Sequence, residues 1–98
     1  MNTRIALIGI IVEDTERSQE INRLLHECGE YIIGRMGVPY RQRGLSIISV
    51  VLDAPEPVIS GLAGRLGMLP GVSVKTVYSK ADCATEKQHI RREANEIS

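Results

Sequence analysis

The chain has no phenylalanine, no tryptophan and only three tyrosines among its 98 residues. Aromatic anchors therefore cannot build its core, and leucine, isoleucine and valine must fill it instead. A domain of this length buries only about 60–65% of its unfolded surface. Cores of this kind are commonly completed by a partner subunit. Net charge is absent as well, since twelve basic residues are matched by twelve acidic ones. A neutral domain lacks the basic field that non-specific nucleic-acid binding draws on. Long apolar runs are also missing. The run from Ile5 to Val12 is too short to span a bilayer, and it stops at Glu13 without the small-residue cleavage site of a secretory signal. No membrane location is expected. The two cysteines, Cys28 and Cys83, read as reduced thiols of a cytoplasmic protein.

Catalytic and metal-binding constellations are lacking too. The two histidines, His26 and His89, have no partners that would complete a nucleophile–base set, so no enzymatic activity is expected. His26 and Cys28 are two residues apart, which points them in different directions on a helix. Cys83 and His89 are six apart, and no CxxC or HxxxH pair joins the four, so the spacing is not that of a structural zinc site. Within the domain, His26 and Cys28 stay as candidate ligands only for a site assembled across subunits; no cofactor is expected. Gly61, Gly64 and Gly67 are not followed by Lys-Ser/Thr, which excludes a phosphate loop.

What is present is a regular alternation of elements. Arg4–Val12, RIALIGIIV, is apolar on both faces of a strand, so both faces should be buried. Asp14 or Thr15 offers an N-cap for a helix running to about Cys28. Ile21, Leu24, Leu25 and Cys28 form its single apolar stripe, and Gly29 stops it. Glu30–Val38 reads as a second strand, with Gly34 and Gly37 suggesting a bulge or a close backbone approach. Pro39–Gly44 is a polar turn. Leu45–Leu52 is a third strand, also central, with Ser46 sharing the face of Ile48, Val50 and Leu52. Asp53 or Ala54 caps a second helix with proline in its first turn. Its stripe is Val58, Ile59, Leu62, Leu66 and Leu69. The glycines of this helix, spaced by three, form a smooth ridge on which another backbone could sit. Val72–Tyr78 alternates and carries Lys75, as an edge strand does.

The order strand, helix, strand, strand, helix, strand is the split β-α-β, ferredoxin-like pattern. Right-handed crossovers place both helices on one face of an antiparallel sheet. The other face then has no cover within residues 1–79, and an apolar face of that size points to self-association as a dimer or tetramer. Residues 80–98 carry balanced charges and a Thr85-x-x-Gln88 capping box, which reads as a C-terminal tail with a marginal helix.

Two places could hold a ligand or partner. Glu13, Asp14 and Thr15 stand where the first strand meets the first helix; they read as helix caps or as a small-ligand site, and the two acids would favour an amine or cation there. Arg35, Arg41 and Arg43 cluster on the second strand and its loop, as a solvated hairpin or as contacts for an acidic ligand or protein partner. With only Tyr31 and Tyr40 nearby, an RNA platform is weak.

Segments of the chain resemble a known family. Val12-Glu13-Asp14, Arg35-Met36-Gly37-Val38-Pro39, Leu62-Ala63-Gly64-Arg65-Leu66-Gly67 and Pro70-Gly71-Val72-Ser73-Val74-Lys75-Thr76 are similar to the small regulators associated with iron-only hydrogenase maturation systems. The resemblance spans roughly residues 4–79. It implies an α+β, ferredoxin-like sandwich of ACT type, similar to the ligand-binding C-terminal domain of nickel-responsive repressors. It further implies an oligomeric regulatory domain that senses a small-molecule effector at subunit interfaces near the first strand–helix turn. No DNA-binding helix pattern precedes Arg4, and the histidine-rich nickel ligand set is not reproduced. The expectation is therefore a regulator of transcription that acts through a protein partner, or an assembly module with no ligand.

Overall fold

The computed structural model describes residues 2–80. The helix expected in the tail, with Cys83 and His89, lies outside the described residues. Four strands form one antiparallel sheet: β1 (Arg4–Val12), β2 (Ile32–Tyr40), β3 (Leu45–Ala54) and β4 (Val72–Tyr78). Their order is β2-β3-β1-β4, so β1 and β3 are central, as their two-sided apolar character requires. Two helices, α1 (Ser18–Glu27) and α2 (Glu56–Gly67), cover one face.

The core lies between that face and the helices. Ala6, Ile8, Ile10 and Val12 of β1 and Val50, Leu52 and Ala54 of β3 are sealed by Ile21, Leu24, Leu25 and Cys28 below α1 and by Ile59, Leu62 and Leu66 of α2. Every one of these is a position that period-two or period-3.6 patterning assigns inward. Glu27 on α1 and Arg65 on α2 pair at 3.2 Å where the helices meet.

Several boundaries differ from expectation, each for a local reason. The first helix opens with a separate 3-10 turn, Thr15–Arg17, closed by Arg17 N–H donating to the Asp14 carbonyl at 2.9 Å. Glu30 and Tyr31 belong to a second 3-10 turn that follows α1, so β2 starts two residues late. At its other end β2 continues through Pro39 and Tyr40, paired with Ser46 and Leu45. Proline is tolerated there because β2 is an edge strand. The expected bulge is present between Ile32 and Gly34. Asp53 and Ala54 do not cap α2, because they are still in the ladder, opposite Ile5 and Arg4. Pro55 takes the cap position with no side-chain hydrogen bond. The glycine ridge of α2 is exposed, and an added Cβ at Gly61, Gly64 or Gly67 would meet nothing within 4 Å. No described backbone uses the ridge.

Among the described residues nothing covers the sheet's second face. The register lays Val38, Ile47 and Ile11 in one row across it, and Val51, Leu7 and Val77 in another. Between them runs Met36, Ser49, Gly9 and Lys75. Leu7 and Ile11 are each 42% exposed although they stand on a central strand.

Candidate functional site

The turn after β1 is tied to its neighbours by hydrogen bonds of Asp14 and of the Glu13 backbone. Asp14 has an extended backbone and its Oδ1 accepts from Glu16 N–H at 3.0 Å, while Oδ2 accepts from Arg17 Nε at 3.4 Å. Arg17 Nη1 also donates to Glu20 at 2.8 Å, and these two carboxylates hold the guanidinium above its ordinary pKa, Glu20 contributing more. Glu13 N–H donates to the Gly71 carbonyl at 2.7 Å. Gly71 has φ +73°, and a Cβ there would stand 2.8 Å from the Asp14 Cβ, so the α2–β4 loop is pressed against this turn. Glu13 and Thr15 are exposed.

The three arginines do not form one cluster. Arg41 and Arg43 lie in a 3-10 turn closed by Gly44 at φ +67°. Arg35 is six residues back along β2, about 20 Å at strand rise. It lies on the helix-covered side, opposite Val50, where its Nη2 donates to Asn22 Oδ1 of α1 at 3.1 Å. Cys28 is in the core, where burial pushes its thiol pKa up; a protonated thiol is a poor nucleophile and ligand. His26 is exposed on α1. Among the described residues, no group of three or more His, Cys, Asp or Glu side chains could hold a metal ion.

Sequence reasoning missed a pocket between α1 and the β2 side of the sheet. Val12, Ser18, Asn22, Arg35, Gly37 and Ser46 line it, with Val38, Pro39 and Ile48, around about 270 Å³ of space. The register explains its floor. Pro39, Ser46 and Val12 are paired across three strands in one row, and Gly37 and Ile48 in the next. Gly37 has no side chain to fill the gap below α1, and a Cβ there would meet nothing within 4 Å. The polar groups converge from distant segments: Ser18 and Asn22 from α1, Arg35 from β2 and Ser46 from β3. One signal was available in the sequence, namely the serine at position 46 on an otherwise apolar inward face.

No described helix is long and apolar enough to cross a membrane.

Comparison with known proteins agrees with this architecture. The family model "TM1266-like: Iron-only hydrogenase system regulator, putative" matches residues 4–76. Among solved structures, the uncharacterized protein TM1266 from Thermotoga maritima is similar, with a TM-score of 0.78 and 40% identity over 81% of this chain and 100% of that one. A formyltetrahydrofolate deformylase from Pseudomonas putida KT2440 shares the fold alone, with a TM-score of 0.56 and 19% identity over 74% of this chain and 28% of that one. None of the curated proteins matches. With the family model matching residues 4–76, from the start of β1 into β4, and 40% identity to TM1266 over the whole of that chain, this chain belongs to the TM1266-like family.

Proposed function

We propose that the chain is a non-enzymatic regulatory module that assembles as a dimer or tetramer through its open sheet face, senses a small molecule and acts on expression of an iron-only hydrogenase system through a protein partner. The observation that carries this reading is the open face. Its two apolar rows, Val38–Ile47–Ile11 and Val51–Leu7–Val77, would expose a contiguous hydrophobic surface on a monomer, and such surfaces mark interaction sites. A second copy presents the same rows and is the simplest complement.

Sensing is favoured over assembly alone by the pocket. A concave site with a few convergent polar groups is what small-molecule recognition needs. Direct DNA contact is disfavoured by the charge balance and by the pairing of Arg17, Arg23 and Arg65 with carboxylates of the same chain.

Sedimentation velocity together with a thermal-shift screen of anionic, neutral and cationic metabolites tests the reading. Dimers or tetramers and a saturable shift with some compound are expected. A monomer at micromolar concentration overturns the assembly role, and a screen with no shift overturns the sensing role.

A further inference from the structure

We infer that the pocket between α1 and β2 is the effector site and that it takes a small anion, a carboxylate or a phosphate, on Arg35. This rests on the sensing role proposed above and gives it a place and a chemistry.

The argument begins with how each arginine is employed. Arg17 pairs with Asp14 and Glu20, Arg23 with Glu27, and Arg65 with Glu27. Arg4 lies over the Tyr78 ring at 4.2 Å. Arg35, like Arg41 and Arg43 of the β2–β3 turn, makes no ion pair with a carboxylate among the described residues; unlike those two it is held by a neutral partner, the Asn22 amide. It is also the charged residue in the lining of the pocket. Arg35 is exposed at an open groove, where its guanidinium retains donors for an anion, and its planar fork matches a carboxylate or phosphate edge. The Asn22 bond fixes that fork from α1. Ser18 and Ser46 supply hydroxyls that either donate or accept, so one side of a bound molecule meets charge and the other meets small polar groups. Val12, Pro39 and Ile48 supply the apolar remainder.

Size narrows the class further. The space of about 270 Å³ is just below the range of about 300–1,000 Å³ that holds drug-sized ligands. It suits a small organic acid or a compact phosphate ester rather than a nucleotide.

The strand that carries Arg35 also carries part of the open face. Arg35, Gly37 and Pro39 pair with Val50, Ile48 and Ser46, the residues on the helix-covered side of β3. Met36, Val38 and Tyr40 pair with Ser49, Ile47 and Leu45 on the open side. A ligand bridging Arg35 to α1 therefore bears on the same short strand that lines the assembly surface.

The test uses the full chain, titrated by calorimetry with sodium succinate, sodium acetate and inorganic phosphate at constant ionic strength, with putrescine and glucose alongside. Saturable binding of at least one anion is expected. Arg35→Gln should weaken it about tenfold or more, Arg35→Lys should retain part of it, and Gly37→Val, which fills the floor, should abolish it. Binding confined to succinate and acetate identifies a carboxylate effector, and binding confined to phosphate identifies a phosphorylated one. The inference is overturned if no anion binds, or if Arg35→Gln and Gly37→Val both bind like the parent chain. Binding of putrescine or glucose without any anion overturns the anion site while leaving the sensing role standing. Silence across the whole panel overturns the anion site, and the sensing role falls only when the wider thermal-shift screen is silent as well.

Discussion

The two faces of the sheet are built from the same strands and nearly the same residue types, yet they have opposite fates. On β1, Ile8 and Ile10 are fully buried while Ile11, next in the chain, is 42% exposed. Hydrophobicity does not separate them. What separates them is that α1 and α2 both cross on one side, as right-handed crossovers require. A strand that is apolar on both sides calls for a cover on each, and the described residues supply one. The comparison makes the covered face the source of the domain's own stability and the open face the proposed source of its assembly.

Truncation in the covered face should have the largest effect. Ile8→Ala removes a fully buried side chain from the sheet centre and should cost about 2–5 kcal/mol. That is a large share of the roughly 5–15 kcal/mol that holds a domain together. Urea unfolding reads it as a fall in midpoint at unchanged slope. A loss below about 1 kcal/mol would show that the two faces do not differ as described.

The ends of the covered layer come next. Gly71→Ala puts a Cβ on a backbone that is already left-handed, at φ +73°, and 2.8 Å from the Cβ of Asp14. Strain of about 1–3 kcal/mol is expected. Gly44→Ala is the control, since φ is +67° but the surrounding space is open; it should cost about 1–2 kcal/mol, from the backbone alone. Equal losses would mean that the α2–β4 loop is free to move off the turn. Asp14→Ala, which removes the cap to Glu16 N–H and a partner of Arg17, should cost about 1 kcal/mol, measured by the same unfolding curves.

How much of this was legible in the sequence follows from which signals are local. The element order, the central places of β1 and β3, and the uncovered face could all be read from Ile5–Val12 and Leu45–Leu52, because period-two patterning reports both faces of a strand at once. The separation of Arg35 from Arg41 and Arg43 could not be read that way, because it depends on β2 extending through Pro39. That in turn depends on β2 being an edge. The pocket was hidden for a stronger reason. It exists because Gly37 falls opposite Ile48 in the register and α1 brings Asn22 above them, and no single stretch of chain carries that coincidence. Glycines 61, 64 and 67 show the reverse: a pattern clear in the sequence has no packing partner among the described residues.

The smallest expected effect on the fold, and the sharpest on the comparison, belongs to Ile11→Thr. Ile11 stands on the same strand as Ile8, across from Ile47 and Ser73, but its side chain faces the open side. In dilute protein, where the chain is monomeric, the substitution should change unfolding free energy by about 0.5 kcal/mol or less, as surface substitutions do. At higher concentration the two chains should diverge. Burying the open face in an assembly adds stability that grows with protein concentration, so the melting temperature of the parent chain should rise with concentration and that of Ile11→Thr should rise less. Sedimentation should show a weaker oligomer in parallel. A loss in the dilute monomer comparable to that of Ile8→Ala would place Ile11 in the domain's own core. An unchanged oligomer would place the assembly surface elsewhere, on an edge strand or on the glycine ridge of α2. Only a concentration-dependent difference fits a sheet whose second cover is another copy of itself.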